Sequence, residues 1–266
     1  MYSEYWGLKE KPFKNTPDPK FLYRSAQHEE ALARMSYVVQ EGMGCMVMSG
    51  VFGCGKTLLL NTLTGKLAGS KFHVARINNP QLDPSGLLHS FIYQMGIKDK
   101  IPSKKAPMLN LLDKAIENIY NDGKHIILIV DEAHVIGEVD VFEELRMLLN
   151  WQKNDRYLLT LILSGQPELL KSISNIKQLA QRVGLRTELD RFELDDTVKY
   201  INHRLDIVGA GDPIFSDKAH REIYDNSGGI PRRINTICDL SLLTGYIRKK
   251  NFIGEDLIKE TIGDLI

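Results

Sequence analysis

A net charge is missing from this chain. Its 266 residues include 34 Lys and Arg against 34 Asp and Glu. The balance holds on both sides of Arg191, which speaks against a generally basic nucleic-acid footprint. Cysteine is scarce: three residues, Cys45, Cys54 and Cys238, lie scattered along the chain. That excludes a disulfide scaffold and fits a reducing compartment. No Cys/His cluster has zinc-ligand spacing, and the seven histidines are dispersed, reading as surface or packed side chains. Apolar runs are short, the stretch 126–130 being among the longest; a bilayer span needs ~20 residues. The opening residues form no signal peptide. A soluble, cytoplasmic protein is expected. The clusters Lys98, Lys100, Lys104, Lys105 and Arg248, Lys249, Lys250 read as solvated surface.

What is present is a phosphate-binding loop. Gly50-Val51-Phe52-Gly53-Cys54-Gly55-Lys56-Thr57 follows an apolar stretch, 45–48, and precedes Leu58-Leu59-Leu60. Glycines at this spacing let backbone N–H groups curl round a polyphosphate, while Lys56 reaches the outer phosphates and the Thr57 hydroxyl can ligate Mg2+. A helix starting near Lys56 adds its positive N-terminal dipole. Nucleoside triphosphate binding follows.

Around the loop, strands alternate with helices. Strands are expected over 45–49, 72–77, 126–130, 158–163 and 185–189, with helices over 25–40, 56–67, 84–96, 109–120 and 141–151. Pro84 and Pro107 read as helix openers. The run 126–130 is continuous and β-branched, as in a strand buried on both faces of a parallel sheet. The fold class is therefore α/β, a P-loop NTPase sheet flanked by helices, with ligand at the strands' C-terminal ends. After Asp195 the strand signal stops. Helices over 196–208, 217–226, 231–248 and 255–265 would make a small all-helical domain. The division expected is an irregular arm over 1–25, rich in Pro and aromatics packed on the core, a nucleotide-binding domain over 26–192 and a helical lid over 193–266.

Asp131 and Glu132 follow the buried run directly. An Asp there can share the Mg2+ shell with Thr57, and the next carboxylate can polarise a water near the γ-phosphate, which favours hydrolysis over transfer to a small molecule. The next strand ends in Ser164-Gly165-Gln166-Pro167. A polar side chain there would bond the attacking water or the γ-phosphate, Gln166 ahead of Ser164 for its longer reach. Arg182, with Arg186 as competitor, is placed to project into a neighbouring subunit's nucleotide. Gly228-Gly229-Ile230-Pro231-Arg232 combines a flexible break with a helix start, suited to bringing Arg232 onto a phosphate, while Arg233 faces elsewhere.

The chain resembles the AAA+ ATPases, in particular the ExeA-type general secretion pathway A family. The resemblance rests on Tyr5-Trp6-Gly7-Leu8 with Pro12-Phe13, on Thr16-Pro17-Asp18-Pro19 with Phe21-Leu22-Tyr23, and on His28-Glu29-Glu30-Ala31-Leu32. Ser164-Gly165-Gln166-Pro167-Glu168-Leu169, Tyr200-Ile201-Asn202-His203-Arg204-Leu205 and the segment from Gly228 to Asn235 continue it in the same order. It implies ATP and Mg2+ as cofactors, Walker A residues from Gly50 through Leu58, Walker B at Asp131 and Glu132, Arg182 as arginine finger and Arg232 as the lid's sensor arginine. Tyr23 and His28 would lie near the adenine. It further implies a homo-oligomer with nucleotide at subunit interfaces and a task in secretion or envelope-complex assembly, peripheral to the inner membrane through partners. Secretion members place a transmembrane helix and a wall-binding domain after the ATPase; this sequence ends at Ile266. The alternative task is ATP-dependent, DNA-binding regulation of transposition.

Overall fold

The structure, a computed structural model, describes residues 1–69 and 71–264. These fall into two compact units, one of residues 29–51 and 59–189, the other of residues 1–28, 52–58 and 190–266.

The first unit is built on a five-stranded sheet. Its strands are β1 (Cys45–Gly50), β2 (Phe72–Ile77), β3 (His125–Val130), β6 (Leu159–Gly165) and β7 (Val183–Leu189), in the order β2-β3-β6-β1-β7. All the pairings are parallel. β1 and β6 are buried along their whole length and β3 from Ile126 onward, as central strands of a covered parallel sheet must be. Each fully buried Leu, Ile or Val contributes about 1.5–3 kcal/mol, so the strand ends are held firmly. β7 lies at the edge and alternates exposed with covered residues. The ends of β1, β6 and β3 are neighbours on one edge, which puts the residue after Gly165 between the residues after Gly50 and those after Val130.

Helix α2 (Ala26–Glu41) leads into β1, and α3 (Lys56–Leu67), α4 (Pro84–Gln94), α5 (Lys105–Asn121) and α6 (Val139–Leu148) lie between successive strands. Asp83 caps α4, accepting the Gly86 N–H at 2.8 Å, with Pro84 at the first helical position. Pro107 does not open its helix, contrary to the sequence expectation: α5 begins at Lys105. A proline in the first turn is tolerated because those N–H groups lack intrahelical acceptors. Lys105 bonds the buried Glu144 of α6 at 2.5 Å. Three elements lie outside the sequence expectations. A hairpin of β4 (Gln152–Lys153) and β5 (Arg156–Tyr157) turns through Asn154 and Asp155, both at positive φ. α7 (Glu168–Asn175) and α8 (Lys177–Ala180) bury Leu169, Ile173 and Leu179.

The second unit is helical. Helices α9 (Leu194–Ile207), α10 (Asp217–Ser227), α11 (Pro231–Ile247) and α12 (Glu255–Gly263) enclose a core that also takes in Phe13 and Phe21. Ser216 caps α10 and Gly228, at φ +59°, closes it. The expected extension of the last helix to Leu265 lies outside the described residues. The N-terminal segment is less irregular than its prolines imply, since it holds a short helix α1 (Tyr2–Tyr5) and a 3-10 turn at Pro19–Phe21. No helix among the described residues is long and apolar enough to cross a membrane.

Candidate nucleotide-binding site

Residues 52–58, which include all of the phosphate loop after Val51, belong to the helical unit. Gly53 and Gly55 take φ +87° and +105°, a region other residues rarely adopt. Space requires glycine as well: a Cβ on Gly53 would lie 2.8 Å from the Arg232 Cβ, and one on Gly55 3.1 Å from the His28 Nε2. His28 is buried and its Nε2 donates to the Cys54 carbonyl at 3.1 Å. That fixes the tautomer, leaving Nδ1 to accept the Ser25 hydroxyl at 2.7 Å. Burial holds the His28 pKa below the ordinary histidine value, only partly opposed by the bond to Cys54, so the imidazole is neutral near pH 7. It braces the loop as a hydrogen-bond donor.

Arg232 meets the same loop twice. Its backbone N–H donates to the Gly53 carbonyl at 3.3 Å, and its guanidinium carbon sits 4.4 Å from the centre of the exposed Phe52 ring. Arg233 is exposed beside it. Tyr23 donates to Asp196 at 2.8 Å and packs edge-on against Phe192, which also faces the His28 ring. The two arm residues expected near the adenine thus share one aromatic neighbour. The Cys54 thiol is buried, and burial raises its pKa above the ordinary thiol value. It packs as a small apolar group. Lys56, only 5% exposed, and Thr57 open α3.

The sheet unit carries Asp131 and Glu132. The Asp131 N–H donates to the Ile77 carbonyl at 2.9 Å, extending the β2–β3 ladder by one residue and fixing the carboxylate's origin. Asp131 is 3% exposed, and Arg76 of β2 donates to its Oδ2 at 2.8 Å. The other Arg76 nitrogen donates to Asn61 Oδ1 at 2.5 Å. Glu132 stands in the left-handed region at φ 55°, ψ 32°, a conformation costing a non-glycine residue on the order of 1 kcal/mol. Its N–H donates to Asp131 Oδ1 at 3.1 Å, and its carbonyl accepts the Val135 N–H at 3.0 Å. The strain aims its side chain rather than letting the strand continue.

His134 lies 3.5 Å from that side chain, Nδ1 to Oε2. Its Nε2 is 2.9 Å from the Gln166 amide nitrogen. With the amide donating, Nε2 accepts and Nδ1 carries the proton facing Glu132. Gln166, His134 and Glu132 thus form one file across the ends of β6 and β3. Ser164 is fully buried inside β6, and its hydroxyl finds no acceptor among the described residues. Arg182, just before β7, donates to Asn150 at 2.7 Å, while Arg186 is exposed on β7.

Sequence reading missed Arg76, Asn61 and His134. The sequence places His134 among dispersed surface or packed histidines; instead it bridges two candidate site residues, because the turn at Glu132 folds it back toward β6. Its place two residues after Glu132 was a usable signal. Arg76 gave none, since its partner lies on a strand far away in sequence.

A family model described as an AAA domain matches residues 39–173, just over half of the chain. The chain belongs to the AAA family of ATPases. This AAA ATPase is 37% identical over 256 residues to General secretion pathway protein A of Aeromonas hydrophila, a match covering 93% of the chain and 45% of that relative. The chain therefore spans less than half of the curated relative's length, and the resemblance expected from the sequence motifs is borne out. The fold is similar to that of the ORC2 protein of Aeropyrum pernix, with TM-score 0.71 at 17% identity over 96% of this chain and 71% of that one. Cdc6p of Pyrobaculum aerophilum gives TM-score 0.70 at 15% identity, covering 92% and 69%. The RuvB Holliday junction branch migration motor of Thermotoga maritima gives 0.61 at 19%, covering 91% and 70%. At these identities the likeness is one of fold.

Proposed function

We propose that this AAA ATPase hydrolyses ATP with Mg2+ in an oligomer whose nucleotides lie at subunit interfaces, the residues 193–266 acting as a lid that couples nucleotide state to a protein partner of a secretion or envelope complex. One observation carries the hydrolytic part: Glu132, strained and aimed, stands next to a buried Asp131 and in file with His134 and Gln166. In this reading Lys56 and the loop N–H groups hold the phosphates, and Glu132 orients and polarises the water. The donor set fits Mg2+. The Thr57 hydroxyl and Asp131 carboxylate are hard oxygen donors, and Mg2+ is commonly held by one or two protein oxygens with phosphates and waters completing its shell. The bound ion would neutralise charge on the phosphate oxygens. Arg76, bonded to Asp131, orients that carboxylate. Arg182 serves the neighbouring subunit's nucleotide and Arg232 its own. Similarity to the general secretion protein supports the secretion task.

The test is phosphate release from ATP by the purified chain, with particle mass measured alongside with and without nucleotide. Hydrolysis should stop on chelation of Mg2+, and Lys56→Ala should fail to bind ATP at concentrations that saturate the wild type. No release from concentrated wild-type protein, or a particle that stays monomeric with ATP, would remove the corresponding half of the reading.

His134 is the positioning residue in this scheme. The His134 imidazole is bonded to Gln166 and lies 3.5 Å from the Glu132 carboxylate, so His134→Ala should lower kcat by roughly tenfold or more and leave the KM for ATP near wild type. An equal rise in KM, with kcat unchanged, would show that the side chain only supports the binding surface.

A further inference from the structure

At the opposite edge of the sheet, where β1, β2, β3 and β6 begin, the sheet unit has a cleft of about 770 Å3. Four cations line it: Lys71 before β2, Lys124 before β3, and Lys153 and Arg156 on the hairpin. All four are exposed, and among the described residues no ion pair engages any of them. The carboxylate lining the cleft is Glu41. Helices α2 and α5 end here, and each C-terminus carries about half a negative charge, so together with Glu41 they offset roughly two of the four positive charges. A surplus of cations remains, in a chain whose total charge is zero. His125, also in the lining, adds nothing above acid pH, because burial and the nearby Lys71 hold its pKa at about 4.

The cleft is aromatic as well as basic. Phe72, Tyr120 and Tyr157 line it and are partly exposed, with Lys153 sitting 4.8 Å from the centre of the Tyr120 ring. The Gln40, Asn121 and Asn154 amides add hydrogen-bonding groups. Cations spread over three separate chain segments suit a ligand with several phosphates, and partly exposed aromatic rings suit bases that stack; an acidic peptide would use the first and have no need of the second.

We infer that this cleft binds the backbone and bases of a single-stranded nucleic acid, at the edge of the sheet away from the ATPase residues. The test uses the full chain and a fluorescein-labelled thirty-nucleotide oligo(dT), read by anisotropy at low salt. Binding should weaken steeply as salt rises, since each phosphate contact releases counterions. Lys124→Ala with Lys153→Ala should weaken it at least about tenfold while leaving ATP hydrolysis unchanged, and Lys249→Ala with Lys250→Ala should have no effect. Tyr120→Ala should weaken binding about fivefold or more, with Tyr120→Phe near wild type. Equal loss from both lysine pairs, absence of binding at low salt, or displacement by poly-glutamate as readily as by unlabelled oligo(dT) would overturn the proposal.

Discussion

Glu132→Gln should bind ATP as tightly as the wild type and release phosphate at least about a hundredfold more slowly, general acid–base groups being worth roughly a hundredfold to ten-thousandfold. The substitution keeps the size and hydrogen-bonding capacity of the side chain and removes its charge and basicity. The backbone supports of the turn, the bonds to Asp131 Oδ1 and from Val135, do not involve the carboxylate, so the left-handed conformation should survive. The measurement pairs equilibrium binding of labelled ATP with single-turnover hydrolysis. Intact turnover would show that the water is activated elsewhere. Loss of binding in proportion to rate would show that Glu132 holds nucleotide rather than acting on water.

Gly229→Ala should destabilise the helical unit by roughly 2–4 kcal/mol and lower the melting temperature by about 5–15 °C. Gly229 has φ +70°, and a Cβ there would collide with the Phe192 carbonyl oxygen. Phe192 cannot easily retreat, because its own N–H donates to the Gly229 carbonyl at 2.8 Å and its ring is buried against Tyr200. Gly65 is the control: it lies inside α3, and a Cβ there would meet nothing within 4 Å, so Gly65→Ala should stabilise slightly. Calorimetry on the three proteins checks the contrast. A Gly229→Ala melt at the wild-type temperature would mean that the Phe192 segment moves aside at little cost.

The phosphate loop and the buried run before Asp131 were legible because each is a local pattern. Glycine spacing and a continuous apolar strand do not depend on which segments later become neighbours. The same holds for most helices, whose stripes and breakers lie within a few residues. The hairpin at Gln152–Lys153 and Arg156–Tyr157 escaped because two-residue strands have no period to detect, although Asn154 and Asp155 were suitable turn residues. The short helices after β6 escaped for a similar reason: Leu169 and Ile173 are a stripe of barely two turns. Arg76 became a neighbour of Asp131 only through the pairing of β2 with β3, and Asn61, on α3, only through its bond from Arg76. The partner of His134 depended on strand order, β6 lying beside β3, which the alternation of strands and helices leaves open.

The Arg232 guanidinium rests on the Phe52 ring while its backbone is already bonded to Gly53. Two contacts therefore hold the cation at the loop. To leave the ring for an anion it needs a rotation about its own side-chain bonds, a movement that exposed residues make in picoseconds to nanoseconds. Any larger swing of helices takes microseconds or longer. In the proposed sensor role of Arg232, the turn of this one side chain toward a phosphate would precede any rearrangement of helices by several orders of magnitude in time.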